Sequence, residues 1–151
     1  LILHHLEKLK FQDIWPPQGT LFSDGRWNKA GQWIIYCSPN ISLAKLEILA
    51  NENRIVNERV CMTIEVEEDL EIYSIEIGDL PPNWMDKPYP SQLSHVIKGF
   101  LLSDKLICSV PSAQSYRETN YLINVRHPHF YELVKLLEVR PEPFDNRFHS
   151  K

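Results

Sequence analysis

Trp33-Ile34-Ile35-Tyr36-Cys37-Ser38-Pro39-Asn40-Ile41-Ser42-Leu43-Ala44-Lys45-Leu46-Glu47 decides how this chain is built. Its first five residues are a continuous apolar run rich in β-formers, bounded by Gly31 and by Pro39-Asn40, and they predict a buried strand. Residues 42–53 then place Leu43, Leu46, Leu49 and Ala50 at helical spacing, with Asn40 or Ser42 positioned to cap the first turn. A strand that turns straight into a helix predicts a mixed fold.

Working outward, Val60, Met62, Ile64 and Val66 alternate with Cys61, Thr63 and Glu65, the period of a half-buried strand. Further strands are predicted over 70–77, 105–110 and 121–125, with a short strand or helix start over 2–6. Residues 91–103 read as a helix despite Gly99, and 128–137 as a final helix with Pro128 in its first turn. In that last helix Phe130, Leu133, Val134 and Leu137 would face inward. Pro16-Pro17, Ser23-Asp24-Gly25 and Pro81-Pro82 punctuate loops. No repeat, linker or low-complexity tract interrupts residues 1–151, so the expectation is one compact α+β domain of four to six strands and three or so helices.

The composition narrows the function classes. At 151 residues and 43% hydrophobic content the chain can build a core without disulfide or metal staples. A net charge of −4 disfavours a nonspecific nucleic-acid binder but leaves room for a local anion site. Lys8, Lys10, Arg26, Lys29 and the histidines lend an RNA-cleaving alternative some support, which the acidic tract over 65–71 opposes. Cys37, Cys61 and Cys108 are scattered and odd in number, which predicts free thiols and a cytoplasmic setting. No apolar run approaches the roughly 20 residues of a membrane span, and 1–5 is too short for a signal-peptide core.

Five residues stand where packing alone does not require them. Glu47 borders the apolar side of its helix, so its carboxylate is solvated, paired or used. Arg26, in the turn-rich Gly25-Arg26-Trp27-Asn28, suits phosphate or carboxylate recognition, or is a surface arginine beside an aromatic that plugs the core. Trp27 is either that plug or a flat wall for a ring. Tyr36 ends a strand that leads into a helix. Ser112 lacks a Gly-x-Ser-x-Gly elbow, so it reads as a hydrogen-bonding residue and not an acyl nucleophile. His127 and His129, two apart, lack the spacing of a metal pair, and His127 is expected to brace a turn; no metal is expected.

As an ordered set, these blocks resemble the RES-domain toxin family, small bacterial toxins encoded beside a helix-turn-helix antitoxin. Gly25-Arg26-Trp27-Asn28 with Gly31 and Tyr36 resembles its first block, and Ser42-Leu43-Ala44 through Leu46-Glu47 its second. Val110-Pro111-Ser112, then Asn120 through Asn124 and His127-Pro128, resemble the third; Pro143-Phe144-Asp145-Asn146-Arg147 resembles the closing block. The family's opening aromatic–arginine pair is represented here by His4-His5.

The resemblance implies an ADP-ribosyltransferase-like fold that takes NAD as substrate and breaks its nicotinamide–ribose bond. ADP-ribosyl would pass to water or inorganic phosphate, or to a protein acceptor. Glu47 would stabilise the oxocarbenium-like state, Arg26 would pair with the diphosphate, and Tyr36 and Trp27 would position the nicotinamide end. Ser112 would hydrogen-bond there, and His5 would stand at the family's arginine position. A catalytically weakened member that acts by binding its partner is the alternative. The partner implied is a helix-turn-helix antitoxin that blocks the NAD pocket in a hetero-oligomer.

Overall fold

The computed structural model describes residues 1–52 and 58–150. Seven strands among these residues form two sheets. β1 (Ile2–Lys8), β3 (Arg59–Val66) and β7 (Val134–Pro141) make an antiparallel sheet in the order β1-β3-β7. β2 (Ile34–Cys37), β4 (Ile72–Ser74), β5 (Ile107–Pro111) and β6 (Thr119–Asn124) make the second, in the order β2-β6-β5-β4. The β4–β5 pair is parallel, and the helix Gln92–Leu102 lies in the crossover that such a pair requires. His4 and Ser38 exchange backbone hydrogen bonds of 2.9 Å in both directions, which stitches β1 of one sheet to the end of β2 in the other.

The helices are α1 (Gly19–Phe22), α2 (Ile41–Asn51), α3 (Gln92–Leu102) and α4 (Phe130–Leu133). The α+β class is as the sequence predicts. Leu3, Met62 and Ile64 of the first sheet meet Ile35, Ile107 and Ile123 of the second, so the two sheets share one core. On its far face the second sheet presents Ile34, Cys108 and Leu122 to Leu93, Ile97 and Phe100 of α3. Gly99 fits a helix here because Tyr73 comes close: a Cβ would lie 2.5 Å from the Tyr73 hydroxyl. Beyond the first sheet, Ala44 of α2 packs with Leu6, Cys61 and Phe144, and Lys45 ties the C-terminal segment down through Glu142 and the Pro143 carbonyl.

α2 begins where predicted, with Asn40 Oδ1 accepting the Leu43 N–H at 2.8 Å. The end predicted for it at Asn53 lies outside the described residues. Its apolar stripe is rotated from the expected one. Leu43 and Ala44 are buried, whereas Leu46 is 40% exposed and Ala50 is exposed. Because the helix lies on β1, its inward face runs through 43, 44, 47 and 48, which brings Glu47 inside the rim.

The helix predicted over 128–137 is a single turn followed by β7. That strand carries a bulge: β7 pairs Glu138 with Thr63 and Leu136 with Ile64, leaving Leu137 unpaired. Phe130 and Leu133 belong to the single helical turn and Val134 opens the strand, so the helical spacing of 130, 133, 134 and 137 runs across two elements. Leu137 is instead 51% exposed.

All three cysteines are free and buried. Burial pushes the Cys108 thiol up to about 12 and raises Cys37 beyond the ordinary thiol range.

Candidate active site

A cleft of about 470 Å³ opens at the seam where β1 meets β2, floored by α2. Its size lies within the roughly 300–1,000 Å³ of small-molecule sites. His5, Arg26, Tyr36 and Glu47, chosen from sequence, all line it, and Trp27 borders it.

Glu47 is the centre of the arrangement. Its Oε1 accepts the Ser112 hydroxyl at 2.8 Å and the Asn120 amide at 2.9 Å. No bond among the described residues occupies Oε2. Pro111 and Ala113 line the cleft, while Ser112 between them turns inward and is 1% exposed. Its oxygen also accepts the N–H groups of Gln114 at 3.1 Å and Ser115 at 3.0 Å. Every hydrogen-bonding position of that hydroxyl is therefore taken. Ser112 acts on the site through Glu47 and has no proton or lone pair left for a ligand.

Arg26 reaches across the mouth. Its Nη1 donates to the Trp84 carbonyl at 2.6 Å and the Asp86 carbonyl at 3.4 Å, and its Cζ lies 5.0 Å from the Tyr89 ring centroid. Nε and Nη2 have no partner among the described residues, so two donors stay available to an anion. Trp27 is 4% exposed and packs on Trp84 with ring centroids 6.1 Å apart. Its ring is the core plug beside Arg26, and the residue also forms part of the cleft lining. The Tyr36 hydroxyl donates to Asn28 Oδ1, which holds the Arg26 loop against β2.

His5 Nδ1 lies 2.8 Å from the Tyr36 carbonyl oxygen and Nε2 lies 3.1 Å from Glu7 Oε2. Both partners are acceptors, so the imidazolium form satisfies both. Burial pushes the Glu7 carboxyl up, but the His5 bond and charge, the Lys8 N–H and the Arg59 charge outweigh it and hold Glu7 below its usual range. Arg59, also on the cleft wall, pairs with Glu52.

A larger cleft of about 630 Å³ lies between the end of α3 and residues 124–129. Its chemistry is occupied by structural bonds. His127 Nε2 donates to the Asp104 carbonyl and Nδ1 accepts the His129 N–H, so this ring braces a turn as expected. Arg126 Nη1 donates to the Gly31 carbonyl. Chemistry, not volume, singles out the smaller cleft.

The RES domain pattern matches residues 2–147. The chain belongs to the RES-domain toxin family. It is 31% identical over 136 residues to a protein named Toxin Res from Yersinia enterocolitica, covering 88% of this chain and 89% of that one. A Toxin Res of Photorhabdus laumondii is 26% identical over 152 residues, covering 97% and 96% of the two chains. A third, from Pseudomonas putida, is 31% identical over 117 residues, covering 73% and 77%.

In this RES domain, sequence reasoning did not single out Asn120, Asn28, Glu7 or Arg59 as site residues. Asn28 and Asn120 stood inside the quoted blocks, as polar residues beside apolar ones. That was the available signal. Among the described residues no group of three or more His, Cys, Asp or Glu side chains could hold a metal ion, and no helix is long and apolar enough to cross a membrane.

Proposed function

We propose that this RES domain cleaves the nicotinamide–ribose bond of NAD and passes ADP-ribosyl to water or phosphate. The observation that carries the reading is the Glu47 carboxylate, fixed through Oε1 by Ser112 and Asn120 with Oε2 unclaimed in a cleft that also holds Arg26. Family membership supports it, as does the convergence of β1, β2 and α2, with the Glu47 carboxylate, on one cleft.

In this reading the C1″–N bond of the nicotinamide-side ribose breaks and its electron pair leaves with nicotinamide, neutralising the pyridinium. Positive charge then builds on the ribose, where Glu47 Oε2 stabilises it in a site already organised to do so. An oxygen of water or phosphate closes on C1″ and, in the case of water, releases its proton to solvent. Arg26 supplies Nε and Nη2 to the diphosphate, and the Tyr36 ring and His5 form the wall between them. A helix-turn-helix antitoxin would silence the toxin by covering this cleft.

The test is mass spectrometry of NAD incubated with the purified chain, with and without phosphate. ADP-ribose, its 1″-phosphate or a modified protein each identifies the acceptor. Glu47→Gln should cut nicotinamide release by more than about 100-fold while NAD affinity changes little. No nicotinamide release under any of these conditions, or equal losses of turnover and binding, rejects the reading.

A further inference from the structure

Glu47 is held by a residue that neither charge nor motif singled out. Asn120, near the start of β6, sends Nδ2 to Glu47 Oε1 at 2.9 Å, and its Oδ1 accepts the Ser38 hydroxyl at 2.6 Å. The direction of each bond follows from chemistry. An ionised carboxylate only accepts, so the NH₂ end of the amide must face Glu47. The carbonyl end then needs a donor, and Ser38 supplies it. Ser38 is 4% exposed and pinned by its two backbone bonds to His4. The series Ser38 to Asn120 to Glu47 thus begins at the seam between the two sheets and ends on the carboxylate.

Ser112 meets the same Oε1 from the neighbouring strand end. Two donors on one oxygen fix the carboxylate plane, which a single donor would leave free to rotate. They also leave Oε2 as the oxygen that faces a ligand. We infer that Asn120, oriented by Ser38, is a positioning residue that sets the aim of the Glu47 carboxylate. The inference rests on Glu47 being the group that stabilises the developing ribosyl charge. A purely structural tie between β6 and α2 would use the same bonds but would not couple them to turnover.

Three variants separate these roles: Asn120→Ala, Asn120→Asp and Ser38→Ala, each assayed for nicotinamide release. Asn120→Ala should lower kcat by about 10- to 100-fold with KM changed less than about threefold, and Ser38→Ala should lower kcat less. Asn120→Asp sets a second carboxylate against Glu47 near neutral pH. It should be worse there than Asn120→Ala and regain activity relative to wild type as pH falls, because the introduced acid, once protonated, donates the lost bond. The ¹³C resonance of the Glu47 side-chain carboxyl should move in Asn120→Ala and in Ser38→Ala, independently of turnover.

A kcat within about twofold of wild type in Asn120→Ala, a pH-independent ratio for Asn120→Asp, or an unmoved Glu47 resonance overturns the inference. If the wild type releases no nicotinamide, the enzymatic reading falls by itself, and the Glu47 resonance then decides whether Asn120 aims the carboxylate.

Discussion

The Tyr36 hydroxyl donates to Asn28 Oδ1 at 2.7 Å and accepts the Trp27 N–H at 3.0 Å, joining the end of β2 to the loop that carries Arg26. Burial raises the Tyr36 phenol above its ordinary range, so it remains a protonated donor at any pH the fold experiences. Asn28 is itself 4% exposed and gives its Nδ2 to the carbonyls of Thr20 and Ser23. Tyr36→Phe leaves a buried amide oxygen and a backbone N–H unpaired. It should cost about 1–3 kcal/mol of stability, read as a lower urea midpoint with an unchanged slope. Gly25→Ala should loosen the same junction, because a Cβ there would lie 2.5 Å from the Tyr36 hydroxyl and 2.6 Å from Asn28 Oδ1. Wild-type midpoints in both variants would show that the loop holds Arg26 by other means.

Ser112 should resist serine-directed reagents. Its hydroxyl proton is committed to Glu47 and its lone pairs to the Gln114 and Ser115 N–H groups, so the oxygen has no free lone pair with which to attack. Incubation with a sulfonyl fluoride should leave the intact mass unchanged at this position. An adduct on Ser112 would make it a nucleophile and overturn its positioning role. Ser112→Ala should also cost about 1 kcal/mol, because it removes the hydroxyl's bonds to Glu47 and to the Gln114 and Ser115 N–H groups.

How far the site could be read in advance depended on the distance over which its bonds act. The Asn40 cap and the place of Glu47 at the border of the apolar side of α2 follow from spacings of three and four residues, whereas the rotation that turns Glu47 inward follows from how α2 lies on β1. The meeting of Glu47 with Ser112 and Asn120 does not, because it spans 65 and 73 residues. It needs the β5–β6 register that sets Pro111 opposite Thr119 and Val110 opposite Asn120. Arg26 and Tyr36 could be named from their loop and strand, but the hydrogen bond through Asn28 that makes them one unit required the fold. The strand β7 escapes a spacing argument for a different reason: Phe130, Leu133, Val134 and Leu137 have helical spacing in the sequence, but only the first three lie on or beside the core, and Leu137 is the exposed bulge residue.

Glu7 gives the cleft a defined acid response. Its carboxyl titrates below the ordinary glutamate value of 4.5 when folded, so the folded state favours the ionised form more than the unfolded state does. That stabilisation is fully present above 4.5 and is lost as pH falls through the lowered folded value. Glu7→Gln should therefore be less stable than wild type near pH 6, and the gap should narrow below 4.5 and close once pH has fallen through the lowered folded value. Denaturation midpoints of the two proteins across this range provide the check. A gap independent of pH would mean that the His5 and Lys8 contacts contribute equally to a neutral side chain.

The bulge in β7 makes a prediction that separates strand from helix directly. In a helix over 128–137, Leu137 would face the core with Phe130 and Val134, and a charge there would be severely destabilising. In the strand, Leu137 is the residue left unpaired between Leu136 and Glu138 and is 51% exposed. Leu137→Lys should therefore shift stability by no more than about 0.5 kcal/mol. Phe130→Ala should cost about 3–5 kcal/mol, because that ring is 1% exposed within the core shared by the two sheets. Equal losses in the two variants would place Leu137 in the core and remove the bulge. A tolerated lysine fixes the register of β7 on β3, and with it the end of the sheet farthest from the cleft.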